Sequence, residues 1–441
     1  MNFEYALRLI DRIKWSKNGT SRIQPPEKTL FAVEPITKQI GVTRVGNITH
    51  LDRLGIPNYS VVLPGTEDYI WVYSGKGFTM KQARTSGLME AIERYSSLPS
   101  SCERPVIRGS YFELSKKYNI LSADEICEPL SVQYKDDLIM DYIQGFDLVS
   151  YEQILVPAAL VLFRYTQDGM AVNPFSFSHT NGLASGNVME EAVCHALCEV
   201  VERDASSLAD LRSSAFPYHL IKLLTNKFKE NGYPINEITS DVMVDEPNLF
   251  PMLDLEDTIN QSAKNLVSRF KAANISLIVK DITSNVGIPT FNAASVEWLT
   301  QNYGYLAEGT GTHPDARIAL VRAITELAQT RAANIQGSRD DLRKINYVGE
   351  NSEDKRSWQF VSSERKICLS EVDSSYNENI LDDIRLILRQ LKAVGLKKAI
   401  VVDLTVPWIG VPVVRAIVPG METFKFTKSV VGQRARDYFK I

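Results

Sequence analysis

The chain has 441 residues, 44% of them apolar and 23% charged, with a formal net charge of −4. Such a length can bury a sizeable core and hold on the order of two or three ordinary domains. A mildly acidic chain of mixed charge excludes a nucleic-acid footprint, and no apolar run nears the roughly 20 residues that span a bilayer.

The N-terminus has early charges and no small-residue cleavage site, so no signal peptide is expected. Cys102, Cys127, Cys194, Cys198 and Cys368, odd in number and mostly far apart, fit a reducing, cytoplasmic setting. Phe3, Leu7, Ile10 and Ile13 give residues 3–15 the period of a short amphipathic helix. An arm broken by Pro25-Pro26 follows, then a helix marked by Leu30, Val33, Ile36 and Ile40, with Pro35 as a point of interruption. Residues 42–45, 59–63 and 69–73 read as strands bounded by Gly and Pro. A helix over 80–97 turns Leu88, Met89, Ile92 and Tyr95 inward, and a buried strand covers 154–163. Asn181-Gly-Leu-Ala-Ser-Gly-Asn187 is a glycine-punctuated loop feeding a long helix over 188–211.

Beyond it the sequence predicts a helical segment near 219–229, an acidic loop at 240–254 and a helix over 256–273. Strands at 276–281 and 288–296, a loop at 304–311 and a long helix at 314–335 follow, the last with proline placed early, where it is tolerated. The polar stretch 340–376 is the best candidate for a mobile loop. A helix at 379–393 and strands at 399–403 and 411–418 complete the order. There is no strict βαβ rhythm, no repeat and no composition break. The expected class is α+β, with residues 1–70 as an N-terminal arm and first strands packed on a main unit of 71–441.

The chemistry sits on helices. At about 100° per residue, Glu191, Glu199 and Glu202 share a stripe roughly 80° wide, flanked by Ala192, Val193, Ala196, Leu197, Val200 and Val201. A helix apolar around most of its circumference is buried, and carboxylates crowded there without a cation raise one another's pKa. Pairing with arginine is the ordinary remedy. The pattern recurs, however, as Glu90 and Glu93 before Arg94, as Glu199 and Glu202 before Arg203, and as Arg322 and Glu326 at i and i+4 with Gln329 and Arg331 nearby. Three such helices favour one shared site. Mg²⁺ binds through a few carboxylates plus substrate phosphates, and Arg203 and Arg322 supply charge for those phosphates.

Other signals are local. Asn187 with Glu190 three residues on is a capping-box arrangement, Gly75-Lys76-Gly77 reads as a turn with an exposed lysine, and Cys194 and Cys198 read as small core residues. No P-loop, dinucleotide fingerprint, nucleophile elbow or His-Glu-x-x-His is present. The five histidines are dispersed, which gives little support to histidine metal sites.

Eight stretches in order resemble the YcaO family of ATP-dependent enzymes that activate peptide-backbone amides. They are Gly41-Val-Thr-Arg44, Asp52-Arg-Leu-Gly-Ile-Pro57, Ser74-Gly-Lys-Gly77, Ser86 to Arg94, Asn181 to Asn187, Glu199-Val-Val-Glu-Arg-Asp204, Gly309-Thr-Gly-Thr-His-Pro-Asp315 with its Arg/Glu helix, and Val413 to Gly420. The resemblance implies a nucleotide site particular to that fold. It implies Mg²⁺ on Glu90, Glu93, Glu191, Glu199 and Glu202, and ATP contacts or completion of the metal shell by Lys76, Ser86, Asn187, Arg203, Arg322 and Glu326. The arm of relatives carries a basic and a hydroxyl residue seven apart, which Arg22 and Thr29 match. Ala184 stands where relatives carry serine.

The implied reaction starts with a nucleophile adding to a peptide carbonyl; the oxyanion takes the γ-phosphoryl group of ATP and leaves as phosphate. External sulfide gives a thioamide, and a neighbouring Cys, Ser or Thr gives an azoline. With no proline after Pro419 and no room for a fused peptide-docking domain, the chain looks more like the members that work with a TfuA-type partner and make thioglycine in methyl-coenzyme M reductase. Cyclodehydration of a precursor peptide is the alternative, and an ATP-binding regulator or assembly factor is the reading from another class. A peptide or protein substrate, a sulfide-delivering TfuA-like partner, no nucleic acid and no membrane are expected. The oligomeric state is left open, with a homodimer as the candidate.

Overall fold

The computed structural model describes residues 7–439 apart from 16–19, 68–69, 128–129, 131–133, 168–174, 176–178, 216–226, 234–249, 257–259, 299–302, 339–346, 350–357 and 428–429. The helix expected over 3–15 is replaced, in its described part, by an extended segment. Ile10 N–H donates to Glu190, Arg12 N–H donates to Asn379, and Ile13 bridges to Asn379. Distant partners thus satisfy a backbone too short to nucleate a stable helix alone. Helix α1, Pro26–Gln39, runs through Pro35 without a break. Pro35 cannot bond the carbonyl of Phe31, but both residues lie on the solvent side, Phe31 being 85% exposed, so the lost bond falls on the exposed face of the helix.

Strands β1 (Arg44–Asn47), β2 (Asn58–Val62) and β3 (Val72–Lys76) form an antiparallel meander. The boundary at residue 70 therefore falls between two strands of one sheet. Helix α2, Met80–Ser96, opens with a reciprocal Thr79–Gln82 capping box and packs on β3. Strands β4 (Ile107–Ser110), β5 (Ile139–Asp147), β6 (Glu152–Pro157) and β7 (Leu183–Ser185) precede the long helix α3, Met189–Ala215. The expected strand 154–163 stops at Pro157 and gives way to a helical turn, Ala158–Val161.

Next come β8 (Met252–Leu253), α4 (Gln261–Ala272), β9 (Ile278–Asp281), β10 (Thr290–Trp298), β11 (Tyr303–Thr312) and α5 (Ala316–Gln336). After β12 (Tyr347–Gly349) and β13 (Lys366–Ile367), the chain ends in α6 (Ile380–Ala393), β14 (Ile400–Asp403), β15 (Val413–Ile417) and α7 (Gln433–Phe439). The two larger sheets run β12-β11-β10-β9-β8-β13 and β4-β5-β14-β15-β7, with β6 also on β5. This is the α+β class expected.

Strand β11 corrects the loop expected at 304–311. Its glycines permit close approach of a helix, not a turn. A Cβ on Gly309 would sit 2.1 Å from the backbone nitrogen of Leu327, and one on Gly311 would sit 2.3 Å from the carbonyl oxygen of Ala319. The strand therefore lies directly against α5. Most of the helix expected near 219–229 and most of the acidic loop at 240–254 lie outside the described residues, as does much of 340–357. The described remainder of the polar stretch is tied down: Trp358 is buried, donates to Asp210, and accepts from Lys280 through its carbonyl.

Three apolar clusters make up most of the core, and each holds one of the glutamate-bearing helices. Leu88 and Ile92 of α2 belong to the first, Val193 and Leu197 of α3 to the second, and Leu320 and Leu327 of α5 to the third. The site lies where these helices meet.

Candidate functional site

A cavity of about 600 Å³ opens between α2, α3 and α5, and every site residue picked out from the sequence lines it. Helix α2 contributes Ser86, Glu90 and Glu93; α3 contributes Glu191, Glu199, Glu202 and Arg203; α5 contributes Arg322 and Glu326. Lys76 closes one wall from β3, Asn187 from the loop before α3, and Arg22 and Thr29 from the N-terminal arm. Lys76 is the last residue of β3, so the exposed turn expected there is not formed.

The two Glu-x-x-Glu-Arg motifs are used in the same way. In each, the first glutamate pairs with the arginine at i+4: Glu90 with Arg94 at 3.7 Å and Glu199 with Arg203 at 3.7 Å. The second glutamate has no ion-pair partner among the described residues. Among the described residues Glu93 accepts only from Ser185, from its N–H at 2.9 Å and its hydroxyl at 3.2 Å. Glu202, 5% exposed, accepts from no described residue. On α5, Arg322 and Glu326 stand at i and i+4 but do not pair, and Lys76 takes Glu326 instead. Arg322 is left facing the cavity with no ion-pair partner among the described residues. A buried charge without a partner is costly. Here carboxylates and a guanidinium that form no ion pair among the described residues share one cavity, Arg322 acting on Glu202 without a direct bond.

That arrangement fits a divalent cation and polyphosphate, one group for each set of unpaired charges. The glutamates line the cavity from two helices, Glu93 and Glu202 form no ion pair with a cation among the described residues, and oxygen is the donor Mg²⁺ takes. Among the described residues, no three His, Cys, Asp or Glu side chains stand close enough together to chelate an ion in this arrangement.

The arm is clamped by two adjacent glutamates at the start of α3, where the helix dipole favours negative charge. Glu190 accepts from Ile10 N–H at 2.7 Å and from Arg12 at 3.3 Å. Glu191 accepts from Ile23 N–H at 2.7 Å, Arg22 at 3.2 Å, and the Asn187 backbone and side-chain amides at 2.9 and 2.8 Å. The capping box expected of Asn187 and Glu190 is therefore absent. The Asn187 side-chain oxygen, Oδ1, instead accepts from Thr29 at 2.7 Å and Gln24 at 2.8 Å.

On the protein's own charges, burial pushes the Glu93 carboxyl up to about 8, with Glu199 and Glu90 adding to the effect. Burial, then Glu326, raises Glu202 to about 7, and burial also raises Glu199. Burial would raise Glu326 too, but Lys76 and Arg203 outweigh it and hold that carboxyl low. The sign for stability follows. An unfolded Glu93 loses its proton near the ordinary value of 4.5 and the folded one near 8. In between, the folded state binds more protons, and stability falls as pH rises. We expect wild type to lose thermal stability relative to Glu93→Gln between about pH 5 and pH 8, and Mg²⁺ with ATP to restore it at the upper end. Thermal melts of both proteins across that range check this; parallel curves would contradict the assignment.

Sequence reasoning missed several cavity residues. His195, His313 and Ser21 line it, although the histidines are scattered along the chain. Ala184 is buried in the core beneath α3, and its neighbour Ser185 faces the cavity and holds Glu93. Arg331 is not at the site. It is 1% exposed and binds Asp52 at 2.8 and 3.0 Å and Glu297 at 2.5 Å, which gives the Asp52 to Pro57 stretch a structural task.

No helix among the described residues is long and apolar enough to cross a membrane. Residues 74–422 match the family described as YcaO cyclodehydratase, ATP- and Mg²⁺-binding. An uncharacterized protein of Methanothermobacter thermautotrophicus is 34% identical over 417 residues, covering 93% of this chain and 97% of its own length. An uncharacterized protein in the tfuA 3′ region of Rhizobium leguminosarum bv. trifolii is 29% identical over 431 residues, 93% of this chain and 91% of that one. YcaO from Methanopyrus kandleri, solved with AMPPCP and Mg²⁺, superposes with a TM-score of 0.67 at 22% identity, over 96% of this chain and 98% of that one. A heterocyclase in complex with substrate and cofactor gives a TM-score of 0.73 at 21% identity; 95% of this chain is covered, and it spans 55% of the heterocyclase. The solved structures speak for the fold, while the family match and the Methanothermobacter relative speak for descent. The chain belongs to the YcaO family, whose members bind ATP and Mg²⁺.

Proposed function

We propose that this chain activates a peptide-backbone amide with ATP and Mg²⁺, and that its product is a thioamide formed with sulfide. The observation that carries the site assignment is the set of unpaired charges. Among the described residues, Glu93 and Glu202 form no ion pair with a protein cation, and Arg322 forms none with a protein anion, within one cavity. In this reading Glu90, Glu93, Glu191, Glu199 and Glu202 hold Mg²⁺, with Glu191 also keeping the arm in place through Arg22 and Ile23. Arg203 and Arg322 take phosphate oxygens, as does Lys76, oriented by Glu326. Ser86, Asn187, Arg22 and Thr29 complete the nucleotide contacts, Thr29 and Asn187 already being joined at 2.7 Å. When bound, ATP supplies a phosphoryl group that converts the amide oxygen into a leaving group. The residues supply positioning and charge neutralisation, which is what phosphoryl transfer asks of a protein. No side-chain nucleophile is required. The compartment in this reading is the cytoplasm, and none of the five cysteines is joined in a disulfide.

Sulfide as nucleophile is supported by the relative found in the tfuA 3′ region, which also suggests a TfuA-like partner as its source. The second reading, an azoline-forming cyclodehydratase, is favoured by the family's description and by the fold shared with a heterocyclase. Incubating the protein with candidate peptide and Mg²⁺–ATP, with and without sulfide, separates the two. Thioamidation is expected to give phosphate only when peptide and sulfide are both present, and a peptide with one oxygen replaced by sulfur. Loss of one water from a Cys-containing peptide without sulfide would establish the second reading instead.

A further inference from the structure

His195 is a cavity residue that the nucleotide reading leaves without a task. It stands on α3 one turn after Glu191 and one turn before Glu199, on the stripe that faces the cavity. Its Nδ1 lies 3.4 Å from Nη2 of Arg22. A guanidinium has only hydrogens to offer, so Nδ1 must be the acceptor, and the proton of the neutral ring is on Nε2. Among the described residues Nε2 has no partner. His313 offers the contrast: its Nδ1 accepts from Asp315 N–H at 2.9 Å, and its Nε2–H meets the Ser21 hydroxyl at 3.0 Å. Both nitrogens of His313 are used within the protein, whereas His195 has a donor to spare.

The surroundings of His195 say what that donor meets. Burial, together with Arg322, Arg22 and Lys76, depresses its pKa well below the ordinary imidazole value, so the ring stays neutral. Three cations around a neutral N–H donor make a place for anionic oxygens; a nucleobase edge would call for no such field. We propose that His195 donates its Nε2–H to a phosphate oxygen of the bound nucleotide and that Arg22 fixes the tautomer that makes this possible. This rests on the Mg²⁺–ATP reading above. It gives the arm a second purpose, since the same Arg22 is also held by Glu191 at 3.2 Å.

The test compares Mg²⁺–ATP affinity by calorimetry in wild type, His195→Gln and His195→Leu, with adenosine competition as a second readout and thermal melts to establish folding. Glutamine can accept from Arg22 through its carbonyl and donate through its amide, so His195→Gln should stay close to wild type. His195→Leu can do neither and should bind about tenfold more weakly, while adenosine competes equally in all three. His195→Phe, a ring without nitrogens, stands in if leucine does not fold. The proposal is overturned if the leucine variant binds as wild type does, if glutamine falls as far as leucine, or if adenosine affinity falls in parallel. Wild type that bound no Mg²⁺–ATP would sink the nucleotide reading along with this one, whereas wild-type binding with an indifferent leucine variant sinks this one alone.

Discussion

Glu202→Gln should lower peptide-dependent phosphate release by about a hundredfold or more, on the scale seen when a group facing transition-state charge is removed, while leaving the fold intact. Glutamine keeps the shape and removes the charge. Glu202 is buried and forms no direct ion pair among the described residues, and burial and Glu326 raise its carboxyl to about 7 against the opposing pull of Arg203, Arg322 and Lys76. The wild-type protein therefore carries a destabilising negative charge above that pH, which the variant lacks. The expected signature is a split: at pH 8 the variant melts no lower than wild type without Mg²⁺, yet its phosphate release is lost. A residue with only a structural role would lose both together. A variant that kept wild-type turnover would remove Glu202 from the metal site.

Arg331→Met should destabilise the protein by about 3–5 kcal/mol, the usual result of removing one partner from a buried charge pair. Arg331 is bound by both oxygens of Asp52 and by Glu297, and it lies 5.2 Å from the Tyr305 ring centre. Methionine fills much of the volume but leaves Asp52 buried without its cation. Urea unfolding should show a clear drop in midpoint, while the folded variant keeps wild-type Mg²⁺–ATP affinity, because Arg331 faces away from the cavity. A drop of under 1 kcal/mol, on the scale of an exposed pair, would show that Asp52 finds other partners.

The glutamate pattern was legible because it is local. Helical spacing alone puts Glu90 with Glu93 and Glu199 with Glu202 on shared faces. What spacing could not tell is which charges stay unpaired. The i, i+4 rule expects Arg322 to hold Glu326, and Lys76, 250 residues away in sequence, takes it instead. The same limit explains the arm. Residues 7–15 have a helical period, but their backbone is claimed by Glu190 and Asn379, far along the chain. It explains β11 too, whose glycines look like turn residues until α5 is packed on them. His195 was invisible for a related reason: one histidine on an apolar helix carries no signal until Arg22 arrives beside it. The fold class, resting on many local periods at once, was readable; the pairing of distant charges was not.

The most direct test of amide activation uses a substrate peptide whose target carbonyl oxygen carries a heavy isotope. After turnover with Mg²⁺–ATP and sulfide, mass spectrometry of the released phosphate reads where that oxygen went. The expected result is the label in the phosphate, in step with product formed. Product accompanied by unlabelled phosphate would contradict O-phosphorylation of the amide.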